Sequence, residues 1–408
     1  MPTHVAFLGP DLFSAYVDMV HGLKRAGARV SGIGHTPVAR LDPRLQHLLD
    51  DYRSIGNPGN AKQVLAAVAE LGRHHAVDRL ETGDESLVLG AAMARRTLEL
   101  PGLSVRAAQL CRDKPAMKEA LRQAGVPTAA SAAVSSLGEL RQFVEREGFP
   151  VVLKPRAALG SLGTLRADSV RDLERGAAEL GLDQGHSVAV EEWVEGHEGF
   201  YDTLTIDGRV EHEFISHYYP NVLPALKDRS VAPQIASTNR VELDSYEELR
   251  AMGRKVIEVF DIGTSATHME WFFGPKGLKF SEIGARPPGE RIWDLYSAGN
   301  DMDMWFEWAA VTLYGRPASK PSRRFATGSV QIRPDRDGRI SGYDGVKDAL
   351  KVIKPWLVQH RLPPVGTPTD PIHKGYLNNV WFRLRHPDYD ELCQLMTFLG
   401  RRLRVFAR

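Results

Sequence analysis

The sequence predicts a multi-domain chain of α/β and α+β units. Three observations carry that prediction. At roughly 100–200 residues per domain, 408 residues make two to four domains with ample core. Strand-like and helical segments alternate through about the first hundred residues, the pattern of a doubly wound sheet. Hairpin signals replace that alternation further along, at Asp207-Gly208 and around Gly274–Gly277.

Val5-Ala6-Phe7-Leu8-Gly9 reads as a short buried strand. Tyr16, Met19, Val20 and Leu23 follow at helical spacing, Gly27 closes the helix, and Val30–Gly34 is the next strand. Gln63–Leu71 and Ala91–Leu98 are helical. Asp113 caps a helix with the apolar stripe Met117, Ala120, Leu121 and Ala124, and Gly125 and Pro127 stop it. Phe149 to Asp183 holds a buried-type strand, a Gly/Ser loop, another strand and a helix. Val188–Val194 is a strand, and Tyr201–Ile206 turns into Arg209–Ile215. The polar stretch from Tyr219 to Arg240 reads as a long loop, and long loops often carry function. Tyr246–Phe260 is helical, two strands flank Gly274–Gly277, and the tail from about Phe325 is a small α+β unit.

Composition excludes several classes. Lys plus Arg exceeds Asp plus Glu by 52 − 51 = 1, which argues against a nucleic-acid partner. Two distant cysteines, Cys111 and Cys393, exclude a disulfide scaffold and a Cys-x-x-Cys metal or redox motif. No secretory signal or membrane-length apolar run is visible, so a cytoplasmic location is expected. The turn after the first strand, Gly9-Pro10-Asp11-Leu12-Phe13-Ser14, has one glycine where a dinucleotide fingerprint needs three. No Walker-type loop occurs either.

Three constellations carry chemistry. The first is Val151-Val152-Leu153-Lys154-Pro155 with Gly160-Ser161-Leu162-Gly163 after it. An ammonium ending an apolar strand needs an anion, and glycines let successive N–H groups wrap a phosphate. Alone, a snorkelling lysine before an ordinary loop explains it equally well. The second is Glu191-Glu192-Trp193-Val194-Glu195-Gly196-His197-Glu198, whose carboxylates suit an adenine amino group and ribose hydroxyls, although a solvated acidic edge is the plainer reading. The third is Glu270 and Glu282 on either side of Gly274-Pro275-Lys276-Gly277. A five-residue loop, Gly274–Leu278, would set the two carboxylates directly opposite. Like charges across strands repel, and a divalent cation reverses that sign. Glu282, Gly284 and Arg286 alternate, so Arg286 faces the same way as Glu282.

This ordered set, with Asp113-Lys114 before it and Ser281 to Gly289 closing it, resembles the ATP-grasp superfamily over nearly the whole chain. Within it, the chain is most similar to carboxylate–amine ligases of the L-amino-acid ligase kind, with biotin-carboxylase-like proteins as relatives. The resemblance implies a pre-ATP-grasp Rossmann-like domain at 1–110 and a two-lobed ATP-grasp domain at 111–320. The small nucleotide-clamping lobe is expected at about 125–190, and the C-terminal α+β subdomain at 321–408. It implies that Lys114 and Lys154 hold ATP phosphates under the amides of Gly160 to Gly163. Glu191 would face the adenine amino group, Glu192 and Val194 would offer backbone groups to the base edge, and Trp193 between them belongs to the same nucleotide-binding segment. Glu198 would take the ribose hydroxyls, Glu270 and Glu282 one or two Mg²⁺ ions, and Arg286 the acyl-phosphate oxygens. One departure stands out: many relatives have Asn two residues after the second metal glutamate, where this chain has Gly284.

The implied activity is ATP-dependent amide formation between a small-molecule carboxylate, an amino acid or peptide-like acid, and an amine. It runs through an acyl phosphate and releases ADP and phosphate. Such a transfer relies on positioning and charge neutralisation, so no Ser-His-Asp arrangement is required. Alternatives are a biotin-carboxylase-like or other ATP-grasp activity, and a catalytically silent nucleotide-binding regulator. Relatives commonly form homodimers. Substrate candidates are His217 and Tyr218 at the loop's start, Arg291 as a carboxylate partner, and His268, with Trp293 behind them. Two motifs fall short. His212 and His217 are five apart where a zinc helix needs four, and Asp335–Gly338 lacks the rest of a calcium loop.

Overall fold

A computed structural model describes residues 2–156, 163–371 and 379–408. The chain opens with four parallel strands, β1 (His4–Leu8), β2 (Arg29–Gly34), β3 (Asp51–Ser54) and β4 (Arg79–Glu81), in the order β3-β2-β1-β4. All five residues of β1 are buried, because helices cover both faces of a parallel sheet. The helix Tyr16–Arg25 carries the expected stripe and packs on the helix Met304–Tyr314. Gly22 makes that approach possible: a Cβ there would lie within van der Waals overlap of the Trp305 carbonyl. Phe7 and Met19 consequently share one core with Phe200 and Trp308 from far along the chain.

Asp113 accepts the Ala116 N–H and starts the helix Lys114–Gln123, as its sequence dictates. A small antiparallel sheet follows: β5 (Ser131–Val134), β6 (Val151–Pro155), β7 (Leu165–Ala167) and β8 (Val188–Glu192), ordered β5-β8-β6-β7. It has its own core, built from Val134, Phe143, Leu153, Leu173 and Val190. Gly160, Ser161 and Leu162 lie outside the described residues, and Gly163 has a φ of +70°.

The large sheet supplies the floor of the site. β9 (His197–Ile206) and β10 (Arg209–Tyr219) meet across Asp207-Gly208, both at positive φ, the type I′ geometry that this dipeptide favours. β11 (Gln234–Ser237) falls inside the stretch expected to be a long loop, which also holds the helix Val222–Lys227. A four-residue buried strand has too little periodicity to be read from sequence. β12 (Ser265–Gly274) and β13 (Gly277–Gly284) complete the lobe, and β14 (Ala326–Ile332) pairs with β11.

In the tail, β15 (Ile340–Asp344) pairs with β18 (Arg404–Ala407), while β16 (Leu357–Arg361) and β17 (Val380–His386) extend the large sheet. The order is β13-β12-β9-β10-β11-β14-β17-β16, so the C-terminal α+β segment shares a sheet with the lobe before it.

Candidate functional site

The two carboxylates of the β12–β13 hairpin face each other, by a different route from the one expected. Gly274 pairs with Gly277, so the turn has two residues, Pro275 and Lys276, and is shorter than five. A regular ladder from that turn would set Ser281 opposite Glu270 and send Glu282 to the other face. A one-residue irregularity between Glu270 and Trp271 corrects the register and pairs Glu270 with Glu282. On the neighbouring strand Glu198 pairs with Phe272, and Phe200 with Glu270. Glu198, Glu270 and Glu282 therefore share one face of the sheet.

Opposite that face stands the small lobe, and a cleft lies between them. Lys114, Lys118 and Lys154 meet Glu191, Glu198, Glu270 and Glu282 in its lining. Lys114 Nζ lies 2.7 Å from Glu282 Oε2. Burial works to raise the Glu282 carboxyl, but the Lys114 and Lys154 charges outweigh it and hold it at about 2. Glu198 has no lysine ion pair among the described residues, and the Lys154 charge acts on it too weakly to offset burial. Burial and the Glu270 charge push its carboxyl up to about 8, although it accepts the Val222 N–H at 2.7 Å.

Glu191 departs from its expected role. Its carboxylate sits between Lys118 at 2.7 Å and Lys154 at 2.8 Å, and those two charges overcome burial and depress its pKa strongly. Both of its oxygens are engaged by lysines in this structure. Lys118 is 1% exposed, and burial lowers its ammonium to about 8 despite Glu191. Sequence reading missed this lysine, although it lies one helical turn from Lys114 on the same face. Glu192 is taken by Lys279 at 3.0 Å. The Glu192 and Trp193 N–H groups donate to Ala130 and Pro150 carbonyls, so neither faces a base edge. Trp193 itself lies under the Arg166 guanidinium, 4.4 Å from the ring centre, and Val194 lines the cleft.

Beyond Glu270 along the same face lies His268, opposite Asp202. Its Nδ1 is 2.7 Å from Asp202 Oδ1, and its Nε2 is 3.8 Å from Glu270. Burial opposes protonation, but Asp202 prevails and raises the imidazole to about 9. Tyr296 Oη donates to the other Asp202 oxygen at 2.5 Å, so Asp202 is fully engaged. Arg286 follows. Its Nε donates to Glu85 at 2.8 Å, and Arg112 holds the same carboxylate at 3.0 Å. Glu85 also bears on Gly284: a Cβ at Gly284 would lie 3.3 Å from a Glu85 carboxylate oxygen. A Cβ at position 284 would need the Glu85 carboxylate to give by a few tenths of an ångström, and no sequence pattern around Gly284 could have shown that neighbour.

Among the described residues, no group of three or more His, Cys, Asp or Glu could hold a metal by itself. Two opposed carboxylates in a cleft lined by lysines suit Mg²⁺, which binds through one or two carboxylates with phosphate and water completing its shell.

Four substrate candidates lie elsewhere. Arg291 is bound to Asp18 at 2.7 Å and Asp294 at 2.6 Å, so its guanidinium is spent on the packing of two helices. Tyr218 is on the site's side of β10 but packs against Phe200 in the core, with ring centres 5.0 Å apart. His217 points to the opposite face, because β10 alternates. There it bonds His197 at 2.9 Å and Tyr246 at 2.8 Å beside Trp271. Trp293 is buried against Trp305.

The His217 network has a pH consequence. Burial, reinforced by the His197 charge, lowers His217 from 6.5 to about 3. The unfolded chain thus binds the proton that the folded one refuses, and stability is lost as pH falls below 6.5. By pH 5 the loss from this group is about 2 kcal/mol. Denaturant titrations at pH 7.5 and pH 5 should show a larger drop for wild type than for His217→Phe. Equal drops would refute the assignment.

Residues 119–298 match the ATP-grasp domain family. They form an ATP-grasp domain. The cleft described above lies within it and at its N-terminal border. An L-arginine-specific L-amino acid ligase of Bacillus subtilis is 22% identical over 316 residues, 76% of this chain and 76% of that protein. The crystal structure of an L-amino acid ligase from Bacillus licheniformis superposes with a TM-score of 0.79 at 16% identity, covering 100% of this chain and 99% of that one. The biotin carboxylase domain dimer of the Hydrogenobacter thermophilus 2-oxoglutarate carboxylase, solved with MgADP, ADP and bicarbonate, gives a TM-score of 0.69 at 16% identity. It covers 99% of this chain and 91% of that one. At these identities the two structures establish a shared fold. No helix among the described residues is long and apolar enough to cross a membrane.

Proposed function

We propose that the chain is an ADP-forming ATP-grasp ligase that joins a carboxylic acid to an amine through an acyl phosphate. One observation carries the reading: Lys114, Lys154, Glu198, Glu270 and Glu282 converge on a single cleft. Its similarity to L-amino acid ligases supports an amino acid or peptide-like acid as substrate. The divisions near residues 110 and 320, and a homodimeric assembly, belong to the same proposal.

In this reading ATP enters between the lobes. Lys114 and Lys154 turn from their glutamates to the phosphates, and Glu198 takes the ribose hydroxyls. Mg²⁺ held by Glu270 and Glu282 would neutralise the phosphate oxygens during transfer. Arg286 receives the substrate carboxylate, one oxygen of which attacks the γ-phosphorus while ADP leaves. The amine then attacks the acyl carbon, phosphate departs, and the amide forms. Each step is helped by fixed charge placed where negative charge builds up. Glu85 keeps Arg286 at its post from the N-terminal domain.

The test is ADP and phosphate release with Mg-ATP against amino acids singly and in pairs, with mass spectrometry of the products. Turnover that requires an acid and an amine, with a condensed mass, is the expected result. Metal-dependent ATP binding with no turnover on any pair would favour a silent regulator. Arg286→Met is expected to lower kcat by about a hundredfold or more, the effect of removing one fixed donor from a charge-developing centre. An unchanged kcat would remove Arg286 from the reaction.

A further inference from the structure

Lys118 is the most buried of the three lysines that line the nucleotide cleft. The helix Lys114–Gln123 turns it toward the end of β8, where Glu191 meets two cations at once. Lys154 Nζ donates an aligned hydrogen bond to Glu191 Oε2 at 2.8 Å. Lys118 Nζ lies as close to Oε1, at 2.7 Å, but off the hydrogen-bond direction, and Oε1 has no hydrogen bond among the described residues. One carboxylate therefore carries two ammonium groups, one well bonded and one held by charge alone. Either of them suffices to neutralise it.

That surplus matters when Lys154 turns to the phosphates. Glu191 is 4% exposed, and a buried carboxylate stripped of its counterion is strongly destabilising. Lys114 is occupied with Glu282, whereas Lys118 is already in place. We propose that Lys118 is a positioning residue for ATP: it takes over Glu191 as nucleotide binds, and so releases Lys154 to the phosphates. The inference rests on the reading that gives Lys154 to the phosphates. In it Lys118 touches no phosphate itself. Glu191 keeps an ammonium throughout, and its Oε1 gains the aligned bond that it lacks beside Lys154. The charged groups facing Lys118 are Glu191 from β8, Lys154 from β6 and Glu282 from β13, with Lys114 one turn back on its own helix. Burial holds the Lys118 ammonium at about 8 against the pull of the two glutamates. It binds its proton more tightly once Lys154 has left, so nucleotide and proton bind together, and affinity should fall as pH rises through 8.

The experiment is calorimetric titration of the full chain by a non-hydrolysable ATP analogue with Mg²⁺, at pH 7 and pH 9, with a thermal melt of each variant. Lys118→Met keeps an unbranched side chain and leaves the Glu191–Lys154 pair intact, so Lys154 stays on Glu191. At pH 7 it is expected to bind the analogue about tenfold more weakly than wild type, the scale of one charge-assisted hydrogen bond. The gap should narrow at pH 9, where wild-type Lys118 has lost most of its proton. Glu198 titrates in the same range but is common to both proteins. Lys118→Met combined with Glu191→Leu leaves nothing to hold Lys154 back, and should bind within about threefold of wild type, a recovery that a damaged fold would not show. Wild-type affinity in Lys118→Met, or a gap of the same size at both pH values, would overturn the inference. A double variant as weak as Lys118→Met would also overturn it, and would make Lys118 a phosphate ligand in its own right. Lys154→Met separates the two levels. Weak binding there without the Lys118 effects overturns the inference and leaves Lys154 on the phosphates. Wild-type binding there removes Lys154 from the phosphates, and the inference with it.

Discussion

Glu282→Ala should abolish ADP formation, with a loss of roughly a thousandfold or more, since several kcal/mol of metal-borne charge stabilisation goes with it. Glu282 faces Glu270 across the hairpin and contacts Lys114, so it touches both the metal position and a phosphate-binding lysine. Its removal also relieves like-charge repulsion among Glu198, Glu270 and Glu282, whose crowding helps to raise Glu198. That relief offsets the lost Lys114 pair. The melting temperature is therefore expected within about 5 °C of wild type, the scale set by a change of one or two kcal/mol. Glu282→Asp should retain part of the activity. Steady-state ADP release and a thermal melt on the same preparation check both halves. Full activity in the alanine variant would remove Glu282 from the metal site.

Glu191→Leu has its largest effect on stability. The carboxylate neutralises two lysines at once, one of them 1% exposed, and deleting it strands both. Breaking a buried pair in this way costs about 3–5 kcal/mol. Lys118, already lowered to about 8, should respond by giving up its proton. Its folded pKa then falls further, the unfolded state binds more protons up to its own pKa, and the variant's stability should rise between pH 7 and pH 9. Adding Lys118→Met should recover part of the loss, because the stranded charge goes with it. Urea titrations at the two pH values, for single and double variants, check the sign and the size. A variant as stable as wild type would mean that Glu191 is not the hub of an ion pair, and would return it to the adenine.

Much of the site was legible in the sequence because chemistry and parity are local properties. Lys154 at the end of an apolar strand, Glu198 near the start of a strand, and Glu270 and Glu282 around a short turn are all recognisable by type and spacing. Strand alternation predicts Arg286 on the face of Glu282, but β13 ends at Gly284 and Arg286 pairs with Glu85. The His212–His217 pair could be dismissed as a zinc motif on spacing alone. His212 is in fact buried against Glu307, while His217 faces the other side of the sheet.

The sequence by itself determined the element types, the caps and turns at Asp113 and Asp207-Gly208, and the set of charged groups available for a nucleotide. Those features depend on a few consecutive residues and on fixed helical and strand periods. Tertiary structure decided how the charges pair. The irregular register beside Glu270 restores the facing carboxylates, β11 turns an expected loop into a central strand, and Lys118 takes a carboxylate expected to face adenine. Glu85, remote in sequence, lies beside Gly284 and holds Arg286. The physical reason is common to all of these. A buried charge must find its counterion among whatever groups the fold brings within a few ångströms, and that neighbourhood is set by which strands and domains lie side by side.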